Sequence, residues 1–77
     1  MATMLISNRQ DLLRTRLKEI RLKKGVRQVD LATALGRQQS YVAKFESGEK
    51  TLDFIEVLDI CHALKCSPIS LVRELMK

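Results

Sequence analysis

The chain has 77 residues, which is enough for one domain with one core. Its composition, 45% hydrophobic and 30% charged, excludes a disordered chain, and three glycines with one proline favour helices. No apolar run approaches the ~20 residues of a membrane span, and the first residues lack the apolar stretch of a signal peptide. A cytoplasmic protein that does not enter the membrane is expected.

The positive charge is concentrated in the first third of the chain. The formal net charge is +5, and residues 9–27 hold eight of the 14 Lys and Arg residues against only Asp11 and Glu19. A surface polarised in this way indicates a polyanionic partner, whereas a solvated helix face is the alternative interpretation.

The first predicted helix covers residues 8–24. Ser7 and Gln10 have the spacing of a capping box, and Leu13, Leu17 and Ile20 form an apolar stripe of helical period. Residues 1–7 precede this helix as a short arm, and the sequence does not determine their role.

Residues 28–35 and 39–47 predict two short helices joined by a tight turn. Counted from Gln28, a small residue comes fifth (Ala32), a glycine ninth (Gly36), and apolar residues fifteenth and eighteenth (Val42 and Phe45). The small residue permits a close helix crossing, the glycine can take the left-handed conformation of the turn, and the apolar pair anchors the second helix. This spacing is typical of a helix-turn-helix, here over residues 28–47.

Two further helices complete an all-α, five-helix single domain over residues 1–77. Asp53 and Glu56 form a capping signature for helix 4, and Ser67-Pro68 is an N-cap followed by proline for helix 5. The predicted inner face of helix 4 is Phe54, Val57, Leu58, Cys61 and Leu64.

The segment RQVDLATALGRQQSYVAKFESGEKTLD resembles the phage-repressor and Cro-like helix-turn-helix family, the XRE family. The residues that carry the resemblance are Gln28, Leu31, Ala32, Leu35, Gly36, Val42, Phe45, Glu46 and Gly48. The resemblance implies a compact lambda-repressor-like fold and a transcriptional regulator that binds double-stranded DNA. It also implies that helix 3 lies in the major groove with its polar front half towards the bases.

On this resemblance, the expected base-reading residues are Gln39, Ser40, Tyr41 and Lys44. Their side chains suit the task, since glutamine pairs with adenine, lysine reaches guanine acceptors and serine serves as donor or acceptor. Tyrosine can contact a thymine methyl group or a phosphate. The alternative is that the front of helix 3 only starts the helix and meets solvent. The expected phosphate contacts are Arg27, Gln28, Arg37, Lys50 and Thr51.

The resemblance further implies a structural ion pair between Arg21 and Glu46. Apolar residues beyond the need of one core predict a homodimer through residues 53–76, and a single five-helix core that absorbs them is the alternative. The expected dimer interface contains Ile55, Ile60, Ile69, Leu71, Val72, Leu75 and Met76. A dimer of this kind would act as a repressor on a palindromic operator.

The rival interpretation is a protein-interaction module, antitoxin-like, that holds a partner protein through helices 4 and 5. No enzyme activity, cofactor, metal or small-molecule substrate is expected, because His62 stands alone and no nucleophile-base set is recognisable. Cys61 and Cys66 are interpreted as ordinary thiols.

Overall fold

The computed structural model describes the backbone of residues 2–77 and the side chains of residues 9–77. The helices are α1 (Ala2–Lys23), α2 (Gln28–Ala34), α3 (Gln39–Ser47), α4 (Phe54–Leu64) and α5 (Pro68–Leu75). Within the described backbone there is no strand, so the predicted all-α, five-helix class is confirmed. None of the described helices is long and apolar enough to cross a membrane.

α1 begins at Ala2 and not at the predicted position 8. The backbone is helical through Ser7, so the predicted capping box at Ser7 is wrong, and residues 2–7 continue the helix instead of forming a separate arm. The reason is intrinsic propensity, because alanine, methionine and leucine favour the helix and no glycine or proline stops it. The side chains of residues 1–8 lie outside the described residues, and so does the interpretation of their role.

The later helix starts follow the local signals in the sequence. The Asp53 carboxylate accepts a hydrogen bond from the Glu56 N–H at 2.7 Å, and the Glu56 carboxylate accepts one from the Asp53 N–H at 3.0 Å. The Ser67 hydroxyl accepts from the Ser70 N–H at 3.4 Å, with Pro68 in the first turn. Each cap satisfies backbone donors that the helix leaves without partners.

The turn between α2 and α3 fixes their close crossing. Gly36 has a φ of 68°, the left-handed conformation that the sequence predicted there. Ala32 is buried where the two helices pack, and Val42 and Phe45 are fully buried in the core. α3 is therefore held rigidly by its inner face.

Among the side chains of residues 9–77, Phe45 is the largest that is fully buried, and Leu17, Leu31, Ile60 and Leu64 bring α1, α2 and α4 into the same core. The predicted inner face of α4 is partly wrong. Phe54 is 66% exposed, whereas Ile60, expected at a surface, is completely buried. Phe54 stands in the first turn of α4, at the edge of the core, and the helix is rotated so that Ile60, Cys61 and Leu64 face inwards.

Candidate nucleic-acid interface

α3 presents a polar ridge to solvent. Val42, Phe45 and Glu46 are buried, and the exposed side chains of the helix are Gln39, Ser40, Lys44 and Ser47. Positions 40, 44 and 47 recur at helical spacing and therefore share one side of the helix. An α-helix with its side chains is about 10–12 Å wide and the major groove of B-DNA about 12 Å, so this ridge has suitable dimensions to enter the groove.

A buried ion pair joins this helix to α1. Arg21 Nε and Nη2 donate to the two carboxylate oxygens of Glu46 at 2.6 and 3.0 Å, so the predicted pair forms and is bidentate. Arg21 is 5% exposed and Glu46 6% exposed. Arg21 also donates to the Val26 carbonyl at 2.8 Å. The pair thus fixes α3 against α1 and against the entry to α2.

A chain of hydrogen bonds continues from this ion pair to the polar ridge. The Gln28 amide nitrogen donates to Glu46 Oε1 at 2.9 Å, and the Gln39 amide nitrogen donates to the Gln28 amide oxygen at 3.3 Å. Gln28, predicted to bind a phosphate, and Gln39, predicted to read a base, therefore touch each other. The buried carboxylate orients the first residue of α2, which in turn orients the first residue of α3.

Arg14 is a further residue of this surface that the sequence interpretation missed. Its guanidinium donates to the Glu46 carbonyl at 3.0 Å, near the C-terminus of α3, and to Asp11. A Cβ atom at Gly48 would lie 3.1 Å from Arg14 Nε, so glycine leaves room for this contact. Arg14 and Arg21 are seven residues apart and so lie on one side of α1. This spacing is the signal in the sequence that could have indicated a contact between Arg14 and α3.

Tyr41 makes more contacts within the protein than the sequence indicated. Its hydroxyl donates to Glu56 Oε2 at 2.7 Å, and its ring packs edge-on against Phe45 with 5.8 Å between ring centroids. Burial, followed by the hydrogen bond to Glu56, raises the pKa of Tyr41 above its ordinary value. A base contact by Tyr41 stays a prediction, and it would compete with these intramolecular partners.

Glu56 collects three donors in one carboxylate. They are the Asp53 N–H at 3.0 Å, the Tyr41 hydroxyl at 2.7 Å, and the Lys50 ammonium at 3.0 Å. The Asp53 N–H, followed by the Tyr41 hydroxyl, holds the pKa of Glu56 at about 2, below the ordinary value of 4.5. The carboxylate therefore stabilises the junction between α3 and α4 in its ionised form.

This lowered pKa predicts acid sensitivity of the fold. Because the folded pKa lies below the unfolded one, the stabilisation is complete above pH 4.5 and is lost as the pH falls towards 2. Urea unfolding followed by circular dichroism measures the free energy of unfolding across this pH range. The decrease on acidification should be roughly 1–2 kcal/mol smaller in Glu56→Gln than in the wild type. The control Glu49→Gln, at an exposed glutamate, keeps the full loss because Glu56 is intact. Identical pH profiles for Glu56→Gln and the wild type would contradict this role.

The other predicted phosphate contacts lie around the same helices. Arg27 is exposed at the start of α2, where its guanidinium pairs with Asp30 at 2.9 Å. Arg37 is exposed in the turn before α3, and its guanidinium carbon lies 4.7 Å from the centroid of the Tyr41 ring. Lys50 is half-buried beside Glu56, and Thr51 is exposed after it. Their contacts with phosphate stay predictions.

The predicted dimer residues divide into three groups by their exposure. Ile60 and Leu71 are 0% and 3% exposed, so they belong to the core and their assignment to an interface is wrong. Leu75 is half-buried against the same core. The remaining predicted residues are exposed apolar side chains: Ile55, Ile69, Val72 and Met76. Leu71 and Leu75 share the inner side of α5, which leaves the side with Ile69, Val72 and Met76 in solvent.

A helix-turn-helix family model matches residues 17–71. An XRE-family like protein from Pseudomonas syringae pv. tomato str. DC3000 is 41% identical over 97% of this chain and 93% of that one, with a TM-score of 0.88. The chain belongs to the XRE family of helix-turn-helix proteins. The resemblance stated from the sequence is thereby confirmed, together with the fold that it implied.

Two other solved structures share the fold at lower identity. The clp gene regulator ClgR from C. glutamicum is 28% identical, with 88% of each chain covered and a TM-score of 0.79. The restriction-modification controller protein C.Esp1396I is 25% identical, with 88% of this chain and 90% of that chain covered and a TM-score of 0.79. A search of the curated proteins finds no match.

Proposed function

We propose that this XRE-family protein is a transcriptional regulator that binds double-stranded DNA and reads its sequence with α3. The observation that carries the proposal is the polar ridge of α3. The opposite face of the helix is buried, and Glu46 on that face is held by the bidentate ion pair with Arg21. A recognition element needs this combination of exposed polar side chains on a rigid support, because disorder in the reading helix would cost binding free energy.

Gln39, Ser40 and Lys44 are the side chains proposed to meet base edges. All three are exposed, and Gln39 is oriented by its hydrogen bond from the amide nitrogen to Gln28. The amide of glutamine can form two hydrogen bonds with adenine, and lysine can reach the O6 and N7 acceptors of guanine. Arg27, Gln28 and Thr51 are proposed to contact phosphates, which fix the register of the protein on the duplex.

Two relatives support a role in regulation, since one is named as a gene regulator and another as a restriction-modification controller. We infer a repressor that occupies a palindromic operator as a homodimer. Two copies related by a two-fold axis would place their α3 helices in successive major grooves, about 34 Å apart. The net charge of +5 would add sequence-independent attraction to the phosphate backbone.

The test of DNA reading is selection of bound duplexes from a random pool by the purified full chain. The proposal predicts an enriched motif with two-fold symmetry, and an affinity for the selected duplex about 10³-fold or more above that for a scrambled duplex. Equal, strongly salt-dependent affinity for both duplexes, without an enriched motif, would show that the basic surface provides electrostatic attraction only.

The proposed dimer forms through the exposed apolar side chains of α4 and α5. Phe54 on α4 and Val72 on α5 line one apolar groove of about 190 Å³, so exposed apolar residues of the two helices share one surface. Ile55, Ile69 and Met76 lie on or next to the same two helices and are each more than 60% exposed. A second copy is the proposed occupant because a two-fold operator needs two recognition helices, and burial of this surface would reinforce a small core.

Replacing Ile69 with glutamine should weaken this dimer about tenfold or more, since one buried isoleucine contributes roughly 1.5–3 kcal/mol. Sedimentation equilibrium measures the dissociation constant directly. The matched control is Leu22→Gln, which removes an apolar side chain on α1 that is 58% exposed. Equal effects of the two substitutions, or a wild type that stays monomeric at tens of micromolar, would contradict the proposed dimer interface. The surface would then be assigned to the alternative, the binding of a partner protein.

A further inference from the structure

We propose that Tyr41 is a positioning residue, whose ring presents the guanidinium of Arg37 to a DNA phosphate and does not itself read a base. The inference rests on the proposed DNA-binding function and changes the expected roles of Tyr41 and Lys50. It follows from the contacts made by Tyr41, Arg37 and Lys50.

The Tyr41 ring is fixed at its hydroxyl and along its edge. The hydroxyl donates to Glu56 at 2.7 Å, and the ring meets Phe45 at an interplanar angle of 73°. Phe45 is completely buried, and Glu56 is fixed in turn by the N-terminus of α4. A ring held in this way can support another side chain without losing further conformational freedom.

Arg37 uses that support while its donors stay available. Its guanidinium carbon lies 4.7 Å from the ring centroid, within the range of a cation–π contact. A cation–π contact uses none of the guanidinium N–H groups, so they can still donate to the oxygens of a phosphate, whose geometry they match. No carboxylate among the side chains of residues 9–77 forms an ion pair with Arg37.

Lys50 is also near the ring, but its donors are already used. Its ammonium lies 5.6 Å from the ring centroid and donates to the Thr51 carbonyl at 3.1 Å. It also lies 3.2 and 3.0 Å from the two oxygens of Glu56. Because an ammonium has three donors, these acceptors satisfy it. Lys50 therefore strengthens the support, and Arg37 is the cation of this cluster that remains open to an external anion.

The place of Arg37 in the chain gives this cation its target. It directly precedes Gln38, the N-cap of α3, and so stands at the end of the helix that also carries Gln39. When the front of α3 faces base edges, the phosphates that border the groove lie beside this turn. Arg37 thus anchors the reading helix at the end where the bases are contacted.

The test is the salt dependence of affinity for a duplex of arbitrary sequence, measured with the full chain. Each lost phosphate contact lowers the slope of log affinity against log salt by about 0.9. Arg37→Gln and Tyr41→Leu should each lower the slope by about this amount, and the double variant should lower it no further. Tyr41→Phe keeps the ring and should keep the slope. Lys65→Gln removes the same charge at the exposed C-cap of α4, outside the residues assigned to DNA and to the dimer, and should also keep it.

Two results for the variants in this salt series would overturn the proposal. One is additive loss in the double variant, because Tyr41 would then act independently of Arg37. The other is an unchanged slope in Tyr41→Leu with lost preference at one base pair, because the tyrosine would then read that base. Equal wild-type affinity for selected and arbitrary duplexes would refute sequence reading while the slopes still test the support of Arg37. A wild type that binds neither duplex would refute both proposals.

A second measurement covers the case in which Tyr41→Leu does not fold. Tyr41 is the single tyrosine of the chain, so a tyrosine-specific ¹³C label gives the ring signals of one residue. Arg37→Gln should shift these NMR signals, and Lys65→Gln should leave them in place. Unchanged ring signals in Arg37→Gln would overturn the proposal, and this measurement requires no substitution of Tyr41.

Discussion

Replacing Gln39 and Lys44 together with alanine should reduce the affinity for the selected duplex between about 30-fold and about 10⁴-fold. The range corresponds to two base contacts of about 1–3 kcal/mol each. Both side chains are exposed, so the free energy of unfolding should change little. Fluorescence anisotropy at fixed salt measures the change in affinity.

The scrambled duplex is the control for this double variant. Affinity for it should fall far less, since only the charge of Lys44 contributes there. If the two duplexes lose affinity by the same factor, Lys44 and Gln39 contribute no sequence information and α3 is not the reading helix. A partner-binding surface on α4 and α5 would be unaffected, which separates this function from the antitoxin-like alternative.

Replacing Arg21 alone with methionine should lower the free energy of unfolding by about 3–5 kcal/mol, because the charge of Glu46 would remain buried without its partner. The side chains of the pair are only 6% and 3% exposed. For a small domain, with a total stability of about 5–15 kcal/mol, this is a large fraction. Replacing both Arg21 and Glu46 with methionine should cost less than the single change, since neither charge is left behind.

The matched control for this prediction is Arg16→Met. Arg16 also links α1 to another helix, through Glu74 at 2.6 Å, but this pair is about one third exposed. An exposed pair contributes about 0–1 kcal/mol, so the control should lose little. Urea unfolding gives all of these values. A double variant that loses as much stability as Arg21→Met and Glu46→Met lose in sum would contradict the role of a buried pair.

The helix-turn-helix could be predicted because its determinants are local. Gly36 adopts the left-handed conformation of the turn, and Ala32 allows the close helix crossing. Both effects act within a few residues of the helix that Gln28 starts. The ion pair between Arg21 and Glu46 spans two helices, and only the family resemblance indicated it. The capping box of α4 and the N-cap serine followed by proline in α5 are equally local, and both were predicted correctly.

The rotation of α4 and α5 about their axes could not be predicted in the same way. Both helices carry apolar residues on more than one side, so the sequence leaves open which side meets the core. Ile60 and Leu71 became core residues because the neighbouring helices cover those sides. The link from Tyr41 to Glu56 joins two helices through side-chain conformations, and no spacing in the chain encodes it. The tyrosine was therefore expected at the bases.

Whether α3 reads bases can be measured by comparing the wild type with Gln39→Ala on every single-base-pair change of the selected duplex. Gln39→Ala should lose discrimination at one position in each half-site, by about 1–3 kcal/mol, and keep it at all others. Uniform weakening across all positions, with discrimination intact everywhere, would show that Gln39 supports binding without reading a base.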